Sequence, residues 1–238
     1  MDNSDHLAVV TGGTKGIGRA TVEKLDKEGF SIATCARNEE DLLDLKQRLE
    51  TDSQGKVYTY AADLSKRDEV TDFIEFLRLI GKNVEVLVNN TGVFTPGLIL
   101  EEEEGALEHM INTNVYSAYH LSRGLVPQMQ KEKRGHVFNV CSVASLKAYP
   151  NGGSYSISKF AMYGFSQVLR EELKEDGVRV TSILAGAVKT PSWDGVDLPD
   201  ERFMRPEDIA ETIWNTYQLS DRTVIEDIVL RPQLGEFT

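Results

Sequence analysis

The chain has 238 residues, 40% of them hydrophobic, with 38 acidic against 26 basic side chains for a formal net charge of -12. That apolar content sustains a packed core and excludes a disordered chain. The acidic balance argues against nucleic acid or an anionic membrane surface as a partner.

The opening MDNSDH is polar and lacks the basic and apolar regions of a signal peptide. No later apolar run reaches a membrane-spanning length, so a cytoplasmic protein is expected. Short apolar, β-branched runs then alternate with segments of helical period. Strands are predicted over 7–10, 30–36, 56–62, 85–90, 135–142, 178–185 and 224–230. Helices are predicted near 16–28, 38–50, 66–80, 103–130, 154–175 and 206–218. Within this pattern EEEE, Glu101 to Glu104, reads as a solvated helix start favoured by the helix dipole. Cys35 and Cys141 each lie in a strand-like run and give no disulfide framework, which suits a reducing compartment. His6, His109, His120 and His136 show no metal spacing, read as structural or surface groups, and imply no metal. Strands this continuously apolar belong in a parallel sheet with helices on both faces. One doubly wound α/β domain over 1–238 is therefore expected, its seven-stranded sheet mostly parallel.

Ligands of such sheets bind beyond the carboxyl ends of the strands. After the first strand comes TGGTKGIG, Thr11 to Gly18, leading into a helix. Its glycines let the backbone turn tightly and approach a phosphate at a helix N-terminus. The competing reading is a tight turn without a ligand. No Gly-Lys-Ser/Thr follows at the spacing of a phosphate-loop NTPase. In this setting the loop points to a dinucleotide-binding Rossmann fold. The second strand ends CARNEE. Folds that prefer NAD place an acid there for the adenosine ribose, whereas this chain offers Arg37, with Lys15 in the glycine loop. Two cations suit a 2′-phosphate, so NADP(H) is expected. Alternatively, Arg37 pairs with Glu39 or Glu40. The third strand ends AADL with Asp63, and the fourth ends NNTG.

Ser142 ends the fifth strand, and Tyr155 and Lys159 follow in YSISK. A Tyr-x-x-x-Lys is expected by chance about 0.4 times in a chain of this composition, so context decides. One helical turn puts both side chains on one face. A cation at that range favours the phenolate and brings the phenol toward a working pH.

Together TGGTKGIG, AADL, NNTG, Asn114 in NTNV, Ser142 and YSISK resemble the short-chain dehydrogenase/reductase family in its common single-domain branch. The extended branch, with sugar-nucleotide epimerases, fits poorly. The resemblance implies a catalytic group of Asn114, Ser142, Tyr155 and Lys159. Tyr155 would exchange a proton with the substrate oxygen, and Ser142 would hydrogen-bond that oxygen. Lys159 would hold the nicotinamide ribose and lower the tyrosine pKa. Asn114 would hold a relay water. The implied cofactor contacts are Gly12, Thr14, Lys15, Gly16, Ile17, Gly18, Arg37, Asp63, Leu64, Asn90, Gly92, Tyr155, Lys159, Gly186, Val188 and Thr190. Three departures stand out: Thr91 where the family has alanine, Ala185 where it has proline, and a short segment over 191–206 that suggests an open site.

Phe94, Leu146, Tyr149 and Trp193 are the residues expected to face a substrate, although loop aromatics often only pack. The C-terminal part looks like that of bacterial sepiapterin reductase-like members and of 3-hydroxy-acid dehydrogenase relatives. The expected function is NADP(H)-dependent hydride transfer between a small carbonyl compound and its alcohol, in a homodimer or homotetramer. The alternative is a non-catalytic NADP-binding sensor, against which the four filled catalytic positions weigh.

Overall fold

In the computed structural model, which describes residues 6–51 and 55–236, seven strands form one sheet in the order β3-β2-β1-β4-β5-β6-β7. They are β1 (His6–Thr11), β2 (Ser31–Ala36), β3 (Val57–Ala61), β4 (Asn83–Asn89), β5 (Gly135–Val140), β6 (Val178–Ala185) and β7 (Asp227–Leu230). Every pairing between them is parallel, so the sheet exceeds the mostly parallel expectation. The reading of residues 1–5 lies outside the described residues.

The helices are α1 (Gly16–Lys27), α2 (Glu39–Leu49), α3 (Arg67–Ile80), α4 (Ala106–Ile111), α5 (Ser117–Glu132), α6 (Gly153–Leu173) and α7 (Pro206–Tyr217). Strand side chains alternate between faces, and the core divides accordingly. Leu7 and Val9 join Phe73 and Leu77 of α3, Leu121, Leu125 and Met129 of α5, and Leu173 of α6. On the other face Ala8 and Val10 join Val22 and Leu25 of α1, Leu45 of α2, and Ile209, Ile213 and Trp214 of α7. Both faces are thus buried, which is why the strands read as unbroken apolar runs.

Two sequence expectations change here. The stretch 103–130 is not one helix: Asn112–Tyr116 form a π-turn between α4 and α5. Single π-turns inside helices gather at functional sites, and this one carries Asn114. The run Glu101 to Glu104 also precedes the helix, which opens only at Ala106 behind a left-handed Gly105 (φ 88°). Glu102 instead accepts hydrogen bonds from the Ser154 amide at 2.8 Å and from the Ser154 hydroxyl. A charge run looks alike in sequence whether it starts a helix or caps a remote one.

Candidate active site

The carboxyl ends of β1 to β6 open on one cleft of about 950 Å³. The glycine loop forms its floor. Gly12 sits at φ 66°, in the left-handed region, and a Cβ on Gly18 would lie 2.2 Å from the Gly12 carbonyl oxygen. Only glycine at both places lets the chain turn this tightly into α1. Thr11, buried at the end of β1, accepts hydrogen bonds from the amides of Asn90 and Thr91, both at 2.9 Å. The Asn90 side chain returns two, to the carbonyls of Thr11 at 2.8 Å and Gly12 at 3.3 Å. These bonds lock the NNTG turn against the glycine loop.

At one end of the cleft, Lys15 pairs with Asp41 at 2.8 Å. Arg37 forms no ion pair with Glu39 or Glu40 among the described residues, so its surface-pair reading is set aside. Burial pushes the Asp63 carboxyl up, but hydrogen bonds from Ser65 and the charges of Lys66 and Arg37 outweigh it and hold Asp63 below its ordinary value.

At the other end, Ser142 lies just past β5, where its Oγ accepts from the Ala144 amide at 3.1 Å. That leaves its proton for the Tyr155 phenol, to which it is hydrogen-bonded. Ser145 secures the group, accepting from the Ser142 amide at 3.3 Å and donating to the Lys159 carbonyl at 2.8 Å. Lys159 is buried, its Nζ 5.8 Å from the Tyr155 ring centre and donating to the Val140 carbonyl at 2.9 Å. Burial raises the phenol above its ordinary value, with the Ser142 hydrogen bond pulling the other way. Burial also lowers the Lys159 ammonium. The expected depression of Tyr155 is therefore not met: burial outweighs the Ser142 hydrogen bond, and the net direction is upward.

Asn114 is buried and does not line the cleft. Its Oδ1 accepts from the Val93 amide at 2.7 Å, and its Nδ2 donates to the Val93 carbonyl at 3.0 Å and the Ser158 hydroxyl at 2.9 Å. The side chain thus ties β4's exit to α6.

Phe94 meets Tyr155 edge-on at 4.8 Å and faces Trp193 at 6.5 Å. Phe94, Tyr149 and Trp193 line the cleft; Leu146 does not, being 43% exposed outside it. From the segment 191–206, Pro191, Ser192 and Trp193 line the cleft. Met204 bridges to Val188, and Trp193 packs on Phe203 at 5.2 Å. Of the expected cofactor contacts, all but Gly18 line the cleft. His109, read as a structural or surface group, is exposed and meets the cleft. Arg231 and Glu236 also reach it, as a 3.4 Å pair from the C-terminal segment. Sequence reasoning missed Thr11, Ser145, Asp41, Glu102 and this pair. Only Ser145 had a local signal, the Ser-x-x-Ser spacing of a capping box with Ser142.

An open parallel sheet, a glycine-floored cleft and a serine–tyrosine–lysine cluster at its end define a dinucleotide-binding oxidoreductase site. The model of the short chain dehydrogenase family matches residues 6–199, and the chain belongs to that family. It is 33% identical to the sepiapterin reductase of Chlorobaculum tepidum, over 97% of this chain and 98% of that one. Among solved structures, a metagenomic short-chain oxidoreductase in complex with NADP superposes with a TM-score of 0.86 at 29% identity, covering 98% of this chain and 99% of the other. The L-sorbose reductase of Gluconobacter frateurii, complexed with NADPH and L-sorbose, gives 0.89 at 26%, covering 98% of each.

Proposed function

We propose that the protein is an NADP(H)-dependent reductase of a small carbonyl compound, run in either direction, with Tyr155 as general acid and base. The observation that carries this is one cleft with Lys15 and Arg37 at one end and Ser142, Tyr155 and Lys159 at the other. The glycine loop fits the cofactor's diphosphate: Gly12 at φ 66° and Gly16 at φ 53° line the cleft and turn the chain into the N-terminus of α1. Lys15 and Arg37 are the groups for its 2′-phosphate, and Val188 and Thr190 for its nicotinamide. When bound, the cofactor supplies or accepts the hydride.

The chain's own residues handle the proton and the charge. Tyr155 gives its phenolic proton to the substrate oxygen as that oxygen becomes an alcohol, and takes it back in oxidation. Ser142 donates a hydrogen bond to the same oxygen as charge builds on it. Lys159, fixed by Val140 and Ser145, orients the ribose and returns the proton to the phenol. Asn114 sets Val93 and Ser158 in place, and Ser158 in turn bonds the Tyr155 carbonyl at 2.7 Å. Phe94, Tyr149 and Trp193 give the substrate an aromatic wall, and the relationship to a sepiapterin reductase makes pterin diketones the first compounds to test, followed by 3-oxo acids.

We place the protein in the cytoplasm as a homodimer or homotetramer formed through α5 and α6; no helix among the described residues is long and apolar enough to cross a membrane. The test is Tyr155→Phe. Turnover of NADPH with a carbonyl panel should fall at least about a thousandfold, within the scale of general acid–base catalysis, while NADPH still quenches tryptophan fluorescence. Unchanged turnover would remove Tyr155 from its role, and a wild type that binds NADPH yet reduces nothing would favour the sensor.

A further inference from the structure

Lys15, one of the two cations facing the adenosine end of the cleft, is already engaged: its ammonium lies 2.8 Å from the Asp41 carboxylate. Asp41 belongs to the first turn of α2, whose N-cap Asn38 accepts from the Asp41 amide at 3.0 Å. That bond fixes the Asp41 backbone and sends its side chain across the cleft mouth. Lys15, Arg37, Asn38 and Asp41 all line the same wall. Arg37, in contrast, forms no ion pair among the described residues. The two cations are therefore unequal before any ligand arrives.

We propose that Asp41 is a specificity-determining residue that competes with the cofactor's 2′-phosphate for Lys15, so that NADPH is favoured over NADH less sharply than the two cations alone dictate. The proposal rests on the NADP(H) reading above. A 2′-phosphate carries close to two negative charges. With Lys15 60% exposed and Asp41 33% exposed, their pair is of the weak, solvent-screened kind that such a group displaces. Displacement does not remove the carboxylate, however. It stays anchored by α2 within reach of the incoming phosphate, joined in the same turn by Glu39 and Glu40. It therefore keeps drawing on Lys15, and the phosphate gains only part of that ammonium's charge. A cofactor with a plain 2′-hydroxyl meets the opposite situation, because an ionised carboxylate accepts a hydrogen bond from it. One side chain thus penalises one cofactor and supports the other.

The experiment is calorimetric titration of NADPH and of NADH into the wild type, Asp41→Asn, Lys15→Ala and the double variant. Asp41→Asn should tighten NADPH about twofold to fivefold and leave NADH unchanged or weaker, the scale expected for a near-surface charge. In the Lys15→Ala background the same change should have a clearly smaller effect on NADPH. An NADPH-to-NADH affinity ratio unmoved by Asp41→Asn overturns the proposal. So does an effect of equal size with and without Lys15. Retained NADH binding shows that each variant is folded. A wild type that binds NADH alone would overturn the NADP(H) reading instead. Asp41→Asn would still decide: acquired NADPH binding upholds the role of Asp41, and none refutes it.

Discussion

Tyr155 carries the chemistry, and its surroundings fix how that chemistry follows pH. Burial moves the phenol above its ordinary value, so in the folded protein it stays protonated throughout the neutral range. Reduction needs the protonated form as donor, and oxidation needs the phenolate as acceptor. The value of kcat/KM for reduction should therefore be flat through neutrality and fall only on the far alkaline side. The oxidation profile should climb over that same alkaline range. Ser142 pulls against burial, so Ser142→Ala should move both limbs to higher pH. Profiles in the two directions check this, and an alkaline reduction limb below the ordinary tyrosine range would contradict it.

At the scale of elements, α6 brings Tyr155 to the site in its first turn, and a carboxylate from elsewhere in the chain holds that turn. Glu102 sits at the N-terminus of this 21-residue helix and accepts two hydrogen bonds from Ser154. Charge-assisted bonds of this kind, with the helix dipole behind them, contribute roughly 1–3 kcal/mol. Glu102→Ala should lower stability by about that amount in a urea melt, and reduce kcat while NADPH affinity is kept. A loss of affinity equal to the loss of kcat would show that Glu102 does more than place the helix. This contact also marks where the sequence stopped being legible. The strands were readable because both faces of the sheet are covered and their residues stay apolar throughout. Tyr155, Lys159 and Ser142 were readable because their spacing is local and strand ends locate them. Glu102 and Ser154 are 52 residues apart, and nothing near either announces the other. The π-turn at Asn112–Tyr116 hid because a change to i→i+5 bonding has no residue signature, and NTNVY holds neither proline nor glycine. Thr11 read only as the first residue of the glycine loop, because its two amide partners lie on the turn after β4, 79 and 80 residues away.

For the whole molecule, the outer faces of α5 and α6 bring several exposed apolar side chains together. Tyr119, Ile157, Phe160 and Val168 are 37%, 41%, 45% and 57% exposed there, with Tyr116 of the preceding π-turn at 51%. Apolar side chains gathered on neighbouring helices mark an interaction surface, which supports the homo-oligomer proposed above. Phe160→Glu should convert the assembly toward monomer in sedimentation at micromolar concentration, with the fold intact by circular dichroism. A wild type sedimenting only as monomer would end that reading.

The sheet order carries a consequence for how the chain reaches its native state. β1 emerges first during synthesis, yet it sits at the centre, between β2 and β4. Its pairing with β4 joins His6 to Asn83 and Val10 to Val88. One edge of that strand must therefore wait, unpaired, until residues 83–88 have followed it from the ribosome, at about 5–20 residues per second. An exposed apolar edge invites pairing with another chain, and distant contacts of this kind slow folding. A strand enclosed on both sides in the finished enzyme is, during its birth, an open one.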